Sequence, residues 1–198
     1  RWFLHHCYTG LKRAEVLGEI SRSKACLAVA GTHGKTTVSS ILAHLLNQSE
    51  QGCNAFLGGV VKNYQSNVLV NPKSNLLVAE ADEFDRSFLK LHPNMAVITS
   101  MDADHLDVYS NEKSIHKAFH EFIGRLPEQG TLLYRSNLAI PDEATANLNT
   151  YTYSVKAEAD FYPANLEITE GKYRFDLVTP KETLHGFKLP LPGRLNVE

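Results

Sequence analysis

The chain has 198 residues, 43% hydrophobic and 21% charged, with 20 Lys+Arg against 22 Asp+Glu and a net charge of −2. That length supports one ordinary domain with a sizeable core, or one domain plus part of another. No strong basic excess marks the chain as a nucleic-acid binder by charge alone, and no apolar run approaches the length that spans a bilayer. Residues 1–10 lack the apolar centre of a signal peptide. Cys7, Cys26 and Cys53 show neither metal spacing nor the even count of a disulfide scaffold. The expectation is a soluble, cytoplasmic protein with no membrane and no nucleic acid among its partners. The two ends read as those of a fragment.

In chain order, residues 15–20 allow one or two helical turns with Val16, Leu17 and Ile20 on one face. Residues 24–30 (KACLAVA) predict a short buried strand, and residues 31–35 a tight glycine loop. Residues 36–47 carry the best helical pattern: Val38, Ile41, Leu42, Leu45 and Leu46 make one apolar stripe. Residues 76–80 and 95–99 predict two more buried strands. Residues 111–126 predict a helix with Ile115, Phe119, Phe122, Ile123 and Leu126 inward, stopped by Pro127, and residues 131–134 a fourth strand. This alternation implies an α/β fold: a mostly parallel sheet with helices on both faces, carrying a phosphate loop and binding its ligands beyond the carboxyl ends of the strands. The last third is different. Residues 150–155, 165–169, 173–178 and 183–191 are strand-like, with Gly171 and Pro180 as turn punctuation, and predict a small antiparallel β appendage.

Three polar clusters each follow a predicted strand. In the first, Gly31-Thr32-His33-Gly34-Lys35-Thr36-Thr37 stands between a strand and a long helix. Glycines let backbone N–H groups converge, and the helix N-terminus adds a partial charge of roughly +0.5. Lys35 supplies an ammonium for terminal phosphates, and the Thr36 hydroxyl can ligate Mg²⁺. Val29 stands where the common phosphate loop has its first glycine. In the second cluster, Glu80 ends an apolar strand, where an unpaired carboxylate is costly, and is assigned as a Mg²⁺ ligand. Glu83 and Asp85, taken singly, read as solvated loop carboxylates. In the third, His105 falls at the same rim and is assigned to a second metal, with Asp104 or Asp107 orienting its other nitrogen. A phosphate loop, two metals and no side-chain nucleophile point to phosphoryl transfer onto a bound substrate.

AVAGTHGKTT, AEADEFDRSFL and AVITSMDADHLDVY resemble the Mur ligases, the ATP-dependent amide-forming family of bacterial peptidoglycan synthesis. RAEVLGEISRSK resembles the segment leading into that family's central domain, and PGRLNVE the start of its adenine-contacting stretch. The resemblance implies three domains, of which this chain holds the tail of the first, for the UDP-sugar (residues 1–23), and the central ATP-binding domain (residues 24–198). It holds none of the third, so alone it forms no amide. The implied substrates are ATP, UDP-N-acetylmuramate and L-alanine: the muramate carboxylate is phosphorylated, and the L-alanine amine attacks the acyl phosphate. Carried over by motif, Gly31 to Thr37 form the ATP loop, with Lys35 at the β/γ-phosphates. Thr36 and Glu80 hold one Mg²⁺, His105 helps hold a second, and Asn196 belongs to the adenine stretch. Leu195 departs from the His usual there, and Lys117 does not match the pattern of the family's carbamoylated lysine. A recycling ligase that joins a tripeptide to the same UDP-sugar, and a non-catalytic ATP-binding module, stand as alternatives.

Overall fold

The apolar run of β1 (Ala25–Ala30) lies inside a seven-stranded sheet. The computed structural model describes residues 10–102, 112–156, 158–169 and 172–190. Its elements are α1 (Arg13–Arg22), β1, α2 (Lys35–Gln48), β2 (Asn54–Val61), β3 (Ser66–Leu69) and β4 (Leu76–Ala81). A 3₁₀ segment (Phe84–Lys90), β5 (Met95–Ile98), α3 (Glu112–Ile123), β6 (Thr131–Arg135), α4 (Asp142–Thr145) and β7 (Asn149–Tyr153) follow. β8 (Tyr162–Thr169), β9 (Lys172–Val178) and β10 (Thr183–Leu189) end the order. The sheet runs β3-β2-β4-β1-β5-β6-β7, parallel throughout except for the β2–β3 hairpin. β4 lies on one side of β1 and β5 on the other, so the winding reverses at β1, where open α/β sheets bind their ligands.

The two-residue period of a strand sorts its side chains between two helical layers. Cys26, Ala28 and Ala30 of β1 and Leu77, Ala79 and Ala81 of β4 face a core built with Phe88 and with Ile115, Phe119 and Phe122 of α3. Phe88 stacks on Phe122 at 5.0 Å and meets Phe119 edge-on at 5.5 Å, which anchors the segment leaving β4. Val78 of β4 faces the other way, toward Ala43 of α2 and Ala55 and Leu57 of β2. α1 packs on the first layer through Leu17 and Ile20, and its Gly18 lies against the Lys90 carbonyl. Among the described residues no helix is long and apolar enough to cross a membrane.

Three expectations are corrected. The inner face of α2 is Ser39 and Ala43, with Leu42 and Leu46 flanking, whereas Ile41 and Leu45 are exposed. Small residues face the sheet because the helix approaches it closely, so the apolar stripe is rotated from its packed face. Val16 of α1 is likewise exposed. The strand expected over residues 150–155 belongs not to the appendage but to the main sheet, as β7 parallel to β6. The 13 residues between Arg135 and Asn149, with α4 among them, suffice for a parallel crossover. The appendage is the antiparallel order β10-β9-β8. β2 and β3 were not expected at all: Gly58 and Gly59 interrupt the apolar pattern of β2.

Candidate active site

The loop after β1 is shaped by its parallel neighbour. Gly31 has φ +140°, and a Cβ there would lie 2.1 Å from Thr99 Oγ1 and 2.9 Å from the Ser100 nitrogen, so only glycine fits. The residues after β5 then pin the loop. Ser100 Oγ pairs with Thr32 Oγ1 at 2.8 Å and accepts the His33 N–H at 2.8 Å, while the Thr99 hydroxyl donates to the His33 carbonyl. Gly34 turns the chain into α2 with φ +84°. The Val38 N–H bonds back to the Gly34 carbonyl, and no side chain caps the turn before it. The N–H groups of Lys35, Thr36 and Thr37 therefore head an uncapped helix at the cleft, an arrangement suited to an anion.

Glu80 shares its strand face with Val78, the face covered by α2, so its carboxylate meets that helix. It accepts from Thr36 Oγ1 at 2.9 Å, from the Gly58 N–H at 2.7 Å and, at the limit of bonding, from Ser39 Oγ at 3.5 Å. A Cβ on Gly58 would stand 2.4 Å from Glu80 Oε1. Thr32, His33, Gly34, Lys35, Thr36, Thr37, Gly58, Glu80 and Asp82 line a cleft of about 530 Å³. The structure thus brings together Thr32, His33, Gly34, Lys35, Thr36 and Thr37 of the predicted loop with Glu80. Gly31 shapes the loop from beneath. His105 and Asn196 lie outside the described residues, as do Asp104, Asp107 and Leu195.

Glu83 is not a solvated loop carboxylate. It is fully buried and grips Lys35, whose Nζ lies 2.8 Å from Oε2 and 3.0 Å from Oε1. The third bond of Nζ goes to the Gly31 carbonyl at 2.7 Å. Asp85, by contrast, is exposed as expected. Sequence reasoning missed Gly58, Asp82 and Glu83. The glycine pair in β2 was the available sign for Gly58; nothing in the run of carboxylates marked Glu83 as the buried one. Among the described residues no three His, Cys, Asp or Glu side chains converge as a metal cage. Thr36 and Glu80 are nevertheless hard oxygen donors side by side at the cleft, a set that fits Mg²⁺, which keeps waters and phosphates in its remaining positions.

A mainly parallel sheet whose central strand runs through a glycine loop into an uncapped helix, with lysine and carboxylate at the same rim, defines an α/β domain of the phosphate-loop class. The family described as the Mur ligase middle domain matches residues 29–198, and the chain belongs to that family. UDP-N-acetylmuramate–L-alanine ligase of Parabacteroides distasonis is 47% identical over the whole of this chain and 43% of its own length. The protein of that name from Christiangramia forsetii is 47% identical over 94% of this chain and 39% of its own. The chain thus spans less than half the length of these relatives. Among solved structures, UDP-N-acetylmuramate:L-alanyl-γ-D-glutamyl-meso-diaminopimelate ligase from Neisseria meningitides superposes with a TM-score of 0.82. It is 23% identical and is matched over 98% of this chain and 64% of that one, a likeness of fold.

Proposed function

We propose that this chain is the ATP-binding part of a cytoplasmic ligase that joins L-alanine to UDP-N-acetylmuramate through an acyl phosphate. The observation that carries the reading is the meeting of Lys35, Thr36 and Glu80 around one cleft at the sheet's reversal point. The loop from Gly31 to Thr37 receives the ATP phosphates with its amides, and Lys35 neutralises charge on the γ-phosphoryl as it transfers. Thr36 and Glu80 would hold Mg²⁺, with His105 toward a second ion; bound metal supplies charge neutralisation at the phosphates. A muramate carboxylate oxygen attacks the γ-phosphorus and ADP leaves. The L-alanine amine then attacks the acyl carbon, phosphate departs and the amine gives up a proton.

Asn196 is assigned to the adenine, and residues 1–23 to the end of a UDP-sugar domain. Relatives at 47% identity named for L-alanine favour that amino acid over the tripeptide of the recycling ligase, whose structure at 23% identity speaks for fold alone. Phosphate release by the full-length protein tests this. Release that needs ATP, UDP-N-acetylmuramate and L-alanine together is expected. Release that ignores L-alanine but responds to the tripeptide overturns the acceptor, and ATP binding without any release overturns the ligase.

A further inference from the structure

We propose that Glu83 is a positioning residue for Lys35: it holds the ammonium at the back of the cleft, and nucleotide binds by exchanging phosphate oxygens for Glu83 oxygens. The inference rests on the reading of the loop as an ATP site and adds a residue that no motif assigns. Lys35 has three N–H donors. All three are engaged, on Gly31 O, Glu83 Oε1 and Glu83 Oε2, within 3.0 Å. The Lys35 side chain is 12% exposed and that of Glu83 is fully buried. A phosphate reaching Lys35 must therefore displace one of these three acceptors, and two of the three are the oxygens of Glu83, anionic like those of the phosphate.

The carboxylate itself has little room to retreat. Its backbone is set by the turn that leaves β4: the Arg86 N–H bonds to the Glu83 carbonyl, and the Asp82 carbonyl accepts both the Phe88 N–H and the Ser87 hydroxyl. Phe88, five residues on, is locked in the aromatic core. Asp85 and Arg86 both take left-handed backbone, with φ of 52° and 55°, and Arg86 reaches Glu121 of α3. Strain of that kind persists only where neighbours over-determine it. Glu83 is thus the fixed member of the pair and Lys35 the mobile one. Among the described residues Glu83 does not line the cleft, whereas Lys35, which it holds, does, so it acts on the nucleotide through Lys35.

This arrangement has a kinetic signature that a merely structural role lacks. Glu83→Gln removes a negative charge that competes with phosphate, so Mg-ATP binds about threefold to tenfold more tightly. It also frees the ammonium from its fixed position, so kcat falls by about 10²-fold. Full-length Glu83→Gln and Glu83→Asp are compared with the parent, with Kd for Mg-ATP by calorimetry and kcat by phosphate release. The Asp variant keeps the charge but withdraws the oxygens from Nζ; it is expected to lose kcat without the gain in affinity, and it decides the matter if the Gln variant does not fold. Opposite movement of affinity and turnover in Glu83→Gln supports the proposal. Parent-like values in both variants, or parallel loss of affinity and turnover, overturn it while leaving the ligase reading intact. A parent that binds no ATP overturns both.

Discussion

The Gly58 N–H donates to Glu80 Oε2 at 2.7 Å, and its missing side chain is what leaves room for that carboxylate. β2 therefore supports the carboxylate of β4 from the next strand of the sheet. Gly58→Ala is expected to push Glu80 out of line with Thr36. Supporting contacts of this kind typically change metal affinity by about 10–100-fold. The Mg²⁺ concentration for half-maximal phosphate release should rise within that range, as it should more severely for Glu80→Ala. Superimposable Mg²⁺ titrations of Gly58→Ala and parent would remove Glu80 from the metal site.

Lys35→Ala is expected to lose turnover by about 10²–10³-fold or more. It also leaves the Glu83 carboxylate buried without its ammonium, a change that costs about 3–5 kcal/mol. Urea unfolding should thus show a clear drop in stability, and the double variant Lys35→Ala/Glu83→Gln should regain much of it. An Ala variant as stable as the parent contradicts the buried pair.

In the appendage, the Asp176 carboxyl is held down to about 2 from an ordinary 3.8, first by the Asn165 amide, then by the Gly186 N–H and by His185. The sign follows from which state takes the proton first. As pH falls from the ordinary carboxylate value through about 2, the unfolded chain is protonated before the folded one, so the contribution present above that window is lost within it. Asp176→Asn should flatten the acid-induced loss of the β8–β10 sheet, followed by amide exchange. An unchanged acid profile in the variant argues against this role.

His92 titrates below its ordinary 6.5, chiefly through burial and then through the Arg22 and Arg125 guanidiniums. Arg22 Nε donates to His92 Nε2 at 2.9 Å, a bond that needs the neutral ring. As pH drops below 6.5 the unfolded chain takes the proton first, so stability declines there. The NMR titration midpoint of His92 should lie below 6.5 and move up in Arg22→Ala. A midpoint that does not respond to that substitution contradicts the assignment.

The loop from Gly31 to Thr37 with its lysine, and Glu80, were legible because the loop directly follows the apolar strand β1 and Glu80 closes the apolar run of β4, where the chain order itself fixes the location. α3 was legible for a similar reason: its aromatic residues recur at helical spacing and all are buried. Glu83 was not, since four carboxylates in six residues look alike until the turn is folded. Its burial depends on Lys35, 48 residues away. β2 escaped notice because Gly58, which makes room for Glu80, and its neighbour Gly59 erase the strand's apolar pattern. β7 was misplaced because an edge strand alternates in the same way whether it joins a parallel or an antiparallel sheet.

The small inner face of α2 works as a caliper. Ser39 and Ala43 let the helix settle close against β4, and that separation places the Thr36 hydroxyl within 2.9 Å of Glu80. Ala43 lies about two turns beyond Thr36 along the helix, with no part in the chemistry. Yet a larger side chain there would lift the helix from the sheet and open the gap between the two oxygen donors. The tolerance of the cleft is thereby written into the volume of a residue that never meets a substrate.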